Sequence, residues 1–239
     1  MEPVLQVALD MMQLKRSIGI AAEAVEGGAD WVEVGTPLIK SEGAEAVRTI
    51  RKTFPGHKII ADTKTMDTGA FEVEIMAKAG ADIVTVLGLA DDATISEAVQ
   101  SGRKYGAEIM VDMINVPDKV KRAKEIEKLG VGYICLHMGI DSQMRGEDAP
   151  VDILRKIVAE VSTPVAVAGG ETVKSPMPGN ILKINVTQGQ QVSEGDVLII
   201  LEAMKMENEV VSTKTGTVAQ ILVSKGAVVE TDTPLVVIA

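Results

Sequence analysis

Six polar residues interrupt the apolar runs of the first 170 residues where those runs stop: Asp10, Glu33, Asp62, Lys64, Asp112 and His137. Asp67 follows three residues after Lys64, within Ala61-Asp-Thr-Lys-Thr-Met-Asp67. Glu33 and Asp62 offer hard oxygens of the kind Mg²⁺ prefers. Lys64, set between Asp62 and Asp67, is expected to be held charged by both, able to donate a proton or stabilise an oxyanion. His137 is the general base that works near neutral pH. Gly169-Gly170 leaves room for backbone amides to approach a phosphate. Any one of these residues alone reads as a cap or a satisfied strand-end group. Asp112 and Asn115 are read that way, and Asp118, after Pro117, as a helix start. Further on, Ala203-Met-Lys-Met206 lies in a polar turn between two apolar strands, so that Lys205 presents an amine. No nucleophile–base pair accompanies it, which makes that half a carrier and not a catalyst.

The residues of the first set need strands that end on one face. Apolar runs at Val4–Leu9, Trp31–Val34, Lys58–Ala61, Asp82–Leu87, Glu108–Val111, Tyr133–Leu136 and Pro164–Ala168 recur roughly every 25 residues, with helix-like stretches between them. Gly28-Ala-Asp30, Gly80-Ala-Asp82 and Gly106-Ala-Glu108 punctuate the helix-to-strand passages, as a left-handed residue ending a helix would. Near-continuous apolar strands joined by helices indicate a parallel sheet covered on both faces. The expected fold is an α/β class (β/α)-barrel truncated to about seven strands, where a closed barrel has eight. After residue 171 the pattern changes to short Val/Ile/Thr-rich strands without aromatic residues, Cys or His. Gly179–Gly189 there matches Gly216–Gly226 at an offset of 37 residues. Two like β-units imply a small all-β sandwich with pseudo-twofold symmetry. The expected domains are therefore 1–170 and 171–239, joined without a Pro/Ala- or Gly/Ser-rich linker.

Composition removes several classes of function. A net charge of −10 gives no clustered cations for nucleic acid, and 2% aromatic content leaves few platforms for bases. No run approaches the roughly 20 apolar residues of a membrane span, and Met-Glu-Pro-Val-Leu has no basic region typical of a secretory signal. The single cysteine, Cys135, rules out an intramolecular disulfide. It reads as plain core in a cytoplasmic, reducing setting.

The motifs add resemblances to known families. With Ser175-Pro-Met-Pro-Gly179 and Ala203-Met-Lys-Met206, the last part resembles the biotinyl domains of biotin-dependent carboxylases and decarboxylases. That resemblance implies biotin covalently attached to Lys205 by a biotin ligase, with carboxylase or carboxyltransferase subunits as partners. The related lipoyl domains usually carry Asp-Lys-Ala at the tip. Tethering would make delivery of the carried group intramolecular. With Asp62-x-Lys64-x-x-Asp67, His137-x-Gly-x-Asp141 and Ala168-Gly-Gly170, the first part resembles the orotidine-monophosphate-decarboxylase-like superfamily. Within it, the 3-hexulose-6-phosphate synthases look most similar, with ketogulonate-phosphate decarboxylases as near relatives.

The second resemblance implies Mg²⁺-dependent aldol condensation of formaldehyde with ribulose 5-phosphate to 3-hexulose 6-phosphate, or the reverse lyase reaction. It implies metal on Glu33 and Asp62, proton transfer at His137, and a pocket lined by Lys64 and Asp67. Asp67 would reach across a homodimer interface, while Asp10, Gly169 and Gly170 would bind the sugar phosphate. Such families continue after the Gly-Gly with a helix, an eighth strand and a closing helix, whereas here the second domain begins. Three organisations fit: a fusion whose barrel is a scaffold, a site completed by a partner chain, or a recombined reading frame. The alternative function is a non-catalytic biotin carboxyl carrier subunit of a decarboxylase or pyruvate-carboxylase-type complex, with an inert barrel.

Overall fold

The computed structural model describes residues 4–139, 151–168, 171–203 and 206–238, which fall into two compact units. In the first, seven strands form one parallel, curled sheet in chain order. They are β1 (Gln6–Leu9), β2 (Trp31–Val34), β3 (Lys58–Thr65), β4 (Ile83–Leu87), β5 (Glu108–Asp112), β6 (Tyr133–His137) and β7 (Val165–Ala168). Helices α1 (Leu14–Glu26), α2 (Thr36–Glu42), α3 (Ala44–Thr53), α4 (Gly69–Ala79), α5 (Asp92–Tyr105), α6 (Lys119–Glu127) and α7 (Val151–Glu160) connect them.

The glycine punctuation works as a set of helix stops. Gly80 and Gly106 take left-handed φ values of 105° and 81°, which only glycine adopts without strain. The next amides, of Ala81 and Ala107, then return to carbonyls five residues back, at Met76 and Gly102. The third residue of the motif ties the neighbouring strand. Asp30 Oδ2 accepts the Leu5 amide and Asp82 Oδ2 the Ile59 amide, each within 2.8 Å.

Alternation along each strand sorts side chains between two cores. Val32, Val34, Ile59, Ala61, Val84, Val86, Ile109, Val111, Ile134 and Leu136 face the helices. Ile60, Ile83, Met110 and Cys135 fill the inside of the curl with Trp31, Tyr133, Ala166 and Ala168. Burial on both faces is why these strands read as unbroken apolar runs, each fully buried Val, Ile or Leu contributing about 1.5–3 kcal/mol. Cys135 is core, its thiol pKa pushed up by burial. At the strand starts, Trp31 and Tyr133 meet edge-to-face at 5.4 Å, with the Lys58 ammonium over both rings.

Three strands run further than their apolar pattern foretold. β3 reaches Thr65 and not Ala61, β5 includes Asp112, and β6 includes His137, so those polar groups belong to the sheet itself. Among the described residues β1 pairs only with β2 and β7 only with β6. Val167 on β7 is 46% exposed.

The second unit holds two four-stranded antiparallel sheets. Its strands are β8 (Glu171–Lys174), β9 (Gly179–Ile184), β10 (Gln191–Val192), β11 (Val197–Ala203), β12 (Met206–Val211), β13 (Gly216–Ile221), β14 (Val228–Val229) and β15 (Pro234–Ile238). One sheet is ordered β10-β13-β15-β8 and the other β14-β9-β11-β12, so a shift of 37 residues exchanges them. The exchange extends to single hydrogen bonds. Gly189 N donates to Val218 O and Gly226 N to Ile181 O; Ser175 Oγ donates to Met177 O and Ser212 Oγ to Lys214 O. Ile181, Leu198, Leu201, Val218, Leu235 and Ile238 fill the space between the sheets. β11 and β12 pair up to the Ala203–Met206 rung. Lys205 lies outside the described residues.

Candidate active site at the strand ends

The inner face of the curl continues into the site. Trp31, Ile60, Ile83, Met110 and Cys135 point inward. The residues two positions further along the same strands are Glu33, Asp62, Thr85, Asp112 and His137. A period of two keeps each on the inner face, at the C-terminal end where catalytic groups of such barrels gather.

A bulge in β3 aims the lysine. Ala61 pairs with Val84 and Thr65 with Val86, so four steps on β3 are matched by two on β4. Within the bulge Lys64 takes a left-handed φ of 48°, a conformation that costs a non-glycine residue about 1–2 kcal/mol. Its Nζ turns back to Asp62 Oδ2 at 2.6 Å and across to Asp112 Oδ2 at 3.3 Å. Asp62 Oδ2 also accepts Thr36 Oγ1 at 2.7 Å, and Oδ1 accepts Thr85 Oγ1 at 2.8 Å. Asp112 Oδ1 accepts the Ile114 amide, and its Oδ2 lies 2.8 Å from His137 Nδ1. A continuous polar chain thus runs from Thr85 through Asp62, Lys64 and Asp112 to His137.

Charge distribution gives these groups distinct states. Burial works against the Lys64 ammonium, but the Asp62 charge and hydrogen bond, with Asp112, outweigh it and raise its pKa. Asp112 is also opposed by burial, yet His137, Lys64 and the Ile114 amide bring its pKa below the ordinary carboxylate value. An ionised Asp112 accepts the Nδ1 proton of His137 and leaves Nε2 as the basic nitrogen. Glu33 behaves oppositely. Burial, then the Asp62 charge, lift it to about 8, although the Gln6 amide donates to its Oε2. Asp10 is likewise raised, by burial and then by Asp62. Gly35 packs so closely on Asp10 that a Cβ there would lie 2.2 Å from Asp10 Oδ1.

Asp10, Glu33 and Asp62 bring three carboxyl groups to the strand-end face, where a hard divalent cation would offset the burial and the Asp62 repulsion that raise Asp10 and Glu33. Among the described residues no group of three or more His, Cys, Asp or Glu is placed to hold a metal ion. Glu33 and Asp62 would share such an ion with water or substrate oxygens.

The structure corrects two readings of the sequence. Lys64 is held by Asp62 and Asp112, not by Asp67. Asp67 is exposed and accepts the amide of its neighbour Thr68. Asp112 does cap the Ile114 turn, but its other oxygen links Lys64 to His137, because its strand places it two residues beyond inward-facing Met110. Sequence reasoning by residue type misses Thr36, Thr85 and Gln6. Inner-face alternation from Ile83 would have found Thr85. Asp118 caps α6 as expected, accepting the Lys121 amide. Gly169, Gly170 and Asp141 lie outside the described residues.

Comparisons with known proteins bear on the family and the fold. Residues 3–200 match the family model "Orotidine 5'-phosphate decarboxylase / HUMPS family", and residues 171–238 match "Biotin-requiring enzyme". The two overlap at 171–200, residues that here form β8 to β11 of the sandwich and the turns between them. The 3-hexulose-6-phosphate synthase of Bacillus subtilis (strain 168) is 46% identical over 168 residues, 70% of this chain and 79% of that protein. A crystal structure of 3-hexulose-6-phosphate synthase superposes with a TM-score of 0.67 at 38% identity, covering 72% of this chain and 82% of the other. The 3-keto-L-gulonate-6-phosphate decarboxylase of Vibrio cholerae O1 biovar El Tor superposes with a TM-score of 0.65 at 30% identity, covering 72% and 80%. The chain belongs to the orotidine 5'-phosphate decarboxylase / HUMPS family, as a homologue of the 3-hexulose-6-phosphate synthases with a biotin/lipoyl-type domain at its C-terminal end.

Proposed function

We propose that residues 1–170 catalyse the Mg²⁺-dependent aldol condensation of formaldehyde with ribulose 5-phosphate, or its reversal, and that residues 171–239 carry biotin on Lys205. The observation that carries the first part is the Asp62–Lys64–Asp112–His137 chain on the strand-end face. His137 Nε2 takes the proton from the carbon next to the ketone, while Asp112 holds Nδ1–H and steadies the imidazolium that forms. The carbanionic carbon attacks formaldehyde, making the new carbon–carbon bond, and the resulting alkoxide is protonated. Lys64, kept charged by two carboxylates, stands as the positive group for oxyanion charge. Mg²⁺ on Glu33 and Asp62 would add positive charge beside the enediolate oxygens. Asp10, Gly169 and Gly170 bind the sugar phosphate on this reading.

Asp67 reaches the site of a second copy. In support, Asp67 is exposed beside an apolar surface of Met66, Phe71 and Ile75, which are 52%, 71% and 49% exposed. Such a surface fits a homodimer contact. Biotin ligase is the partner of Lys205, and a carboxylase or carboxyltransferase subunit would receive the carried group. No helix among the described residues is long and apolar enough to cross a membrane.

The test is Mg²⁺-dependent formaldehyde fixation onto ribulose 5-phosphate by purified protein, with Glu33→Ala and His137→Ala as controls. Activity that both variants lose supports the synthase. Among the described residues no strand pairs with the outer edges of β1 and β7, which favours a second reading, a carrier subunit with an inert barrel. Inactive but folded protein that avidin retains after biotin ligase treatment, and that co-purifies with a carboxylase subunit, selects that reading. Failure of avidin to retain it would remove biotin from both.

A further inference from the structure

We infer that Thr85, an uncharged residue in the middle of β4, is the positioning residue that keeps Asp62 and Lys64 in register for the proposed reaction. This rests on the synthase reading. β4 supplies no charged group to the strand-end face, yet three contacts of the site converge on this one residue. Its hydroxyl donates to Asp62 Oδ1 at 2.8 Å, and the same oxygen accepts the Lys64 amide at 3.0 Å. Its carbonyl accepts Thr63 Oγ1 at 2.7 Å. Thr85 is 4% exposed and Asp62 5%, so water has little access to replace the hydroxyl.

The bulge explains why β4 must do this. Where β3 slips register, the ladder with β4 lapses between Ala61 and Thr65, and the Lys64 amide has no β4 carbonyl opposite it. Thr85 Oγ1 stands in for the missing acceptor. It thereby stabilises the left-handed backbone at Lys64, from which Nζ reaches both Asp62 and Asp112. One oxygen thus orients the Asp62 carboxylate and anchors the lysine that pairs with it. Removing it orphans a buried acceptor and a backbone donor together. Thr63 and Thr65, 2.9 Å apart, brace the bulge from the other side, Thr65 reaching Glu72 of α4.

The test compares Thr85→Val, which keeps the shape and loses the oxygen, with Thr85→Ser, which keeps the oxygen. Two readouts are taken on the full chain: hydrogen exchange of the Lys64 amide, and kcat and KM for ribulose 5-phosphate. In Thr85→Val, Lys64 exchange accelerates while amides of β5 and β6 stay protected. kcat falls about 10- to 100-fold, the usual range for supporting groups, with KM little changed. Thr85→Ser restores both. Wild-type exchange at Lys64 in Thr85→Val, or an equal loss in Thr85→Ser, overturns the inference. An inactive wild-type protein would defeat the synthase reading alone, and the exchange data would still decide the role of Thr85.

Discussion

Replacing Glu33 by glutamine isolates the cost of an ionised carboxyl group in the strand-end cluster. Burial and the Asp62 charge raise this group from 4.5 to about 8. Between those pH values the native protein holds a proton that the unfolded chain has released. Stability therefore falls as pH rises through the window, by about 1.4 kcal/mol per pH unit from this group. The loss reaches up to roughly 5 kcal/mol once pH exceeds the folded value. Glutamine keeps the shape, still accepts from Gln6, and never ionises. Trp31 is the single tryptophan and lies in β2, so its fluorescence during urea unfolding follows the barrel unit. Across the window from mildly acidic to mildly alkaline pH, the wild-type barrel should lose several kcal/mol and Glu33→Gln much less. The variant should be the more stable protein on the alkaline side. Added Mg²⁺ should restore wild-type stability there and leave the variant unmoved. Parallel stability curves for the two proteins would refute the argument that Glu33 carries the burial cost.

Three further perturbations address other links. Asp112→Asn removes the charge that orients His137 and pairs with Lys64; kcat for formaldehyde fixation should drop about 10²- to 10⁴-fold, and an unchanged kcat would deny Asp112 its part. Phe71→Asp places a charge on the exposed apolar surface of α4 and should convert a dimer to monomers in sedimentation, with loss of activity because Asp67 no longer reaches a second site. A wild-type protein that sediments as a monomer would count against that arrangement. Asp232 occupies a left-handed conformation, φ 63°, at the position that the 37-residue shift maps onto Gly195, φ 88°. Asp232→Gly should stabilise the sandwich by about 0.5–1 kcal/mol, seen by calorimetry as a higher temperature for its transition; a lower temperature would contradict the strain.

Much of this architecture is legible in the sequence because two simple periodicities carry it. Unbroken apolar runs introduced by Gly-Ala-Asp or Gly-Ala-Glu locate the parallel strands, and the displacement between Gly179 and Gly216 announces the twofold sandwich. Other features depend on relations between strands. Reading Asp112 as a local cap was half correct, since one oxygen does serve Ile114. The other oxygen's role emerges only when β5 is laid between β3 and β6. Thr85 carries no charge and sits within an apolar run, so type alone does not mark it; its phase relative to Ile83 does. The apolar pattern understates the length of β3 because Asp62-Thr-Lys-Thr65 is polar, and polarity there reflects a bulged strand end lining a site. Proximity in the chain groups Asp67 with Lys64, which the left-handed backbone at Lys64 defeats.

The pairing at the ends of the sandwich has a mechanical consequence. Glu171, where the chain passes in from the first unit, pairs with Ile238, which also pairs with Val218. The neighbouring Thr217 pairs with Gln191, just before β11 begins at Val197. Glu171 thus lies at the end of the sandwich where β11 starts, and the Ala203–Met206 rung lies at the far end, about 20 Å away for seven residues of strand. The two packed sheets act as a rigid spacer that holds the rung at a fixed distance from Glu171.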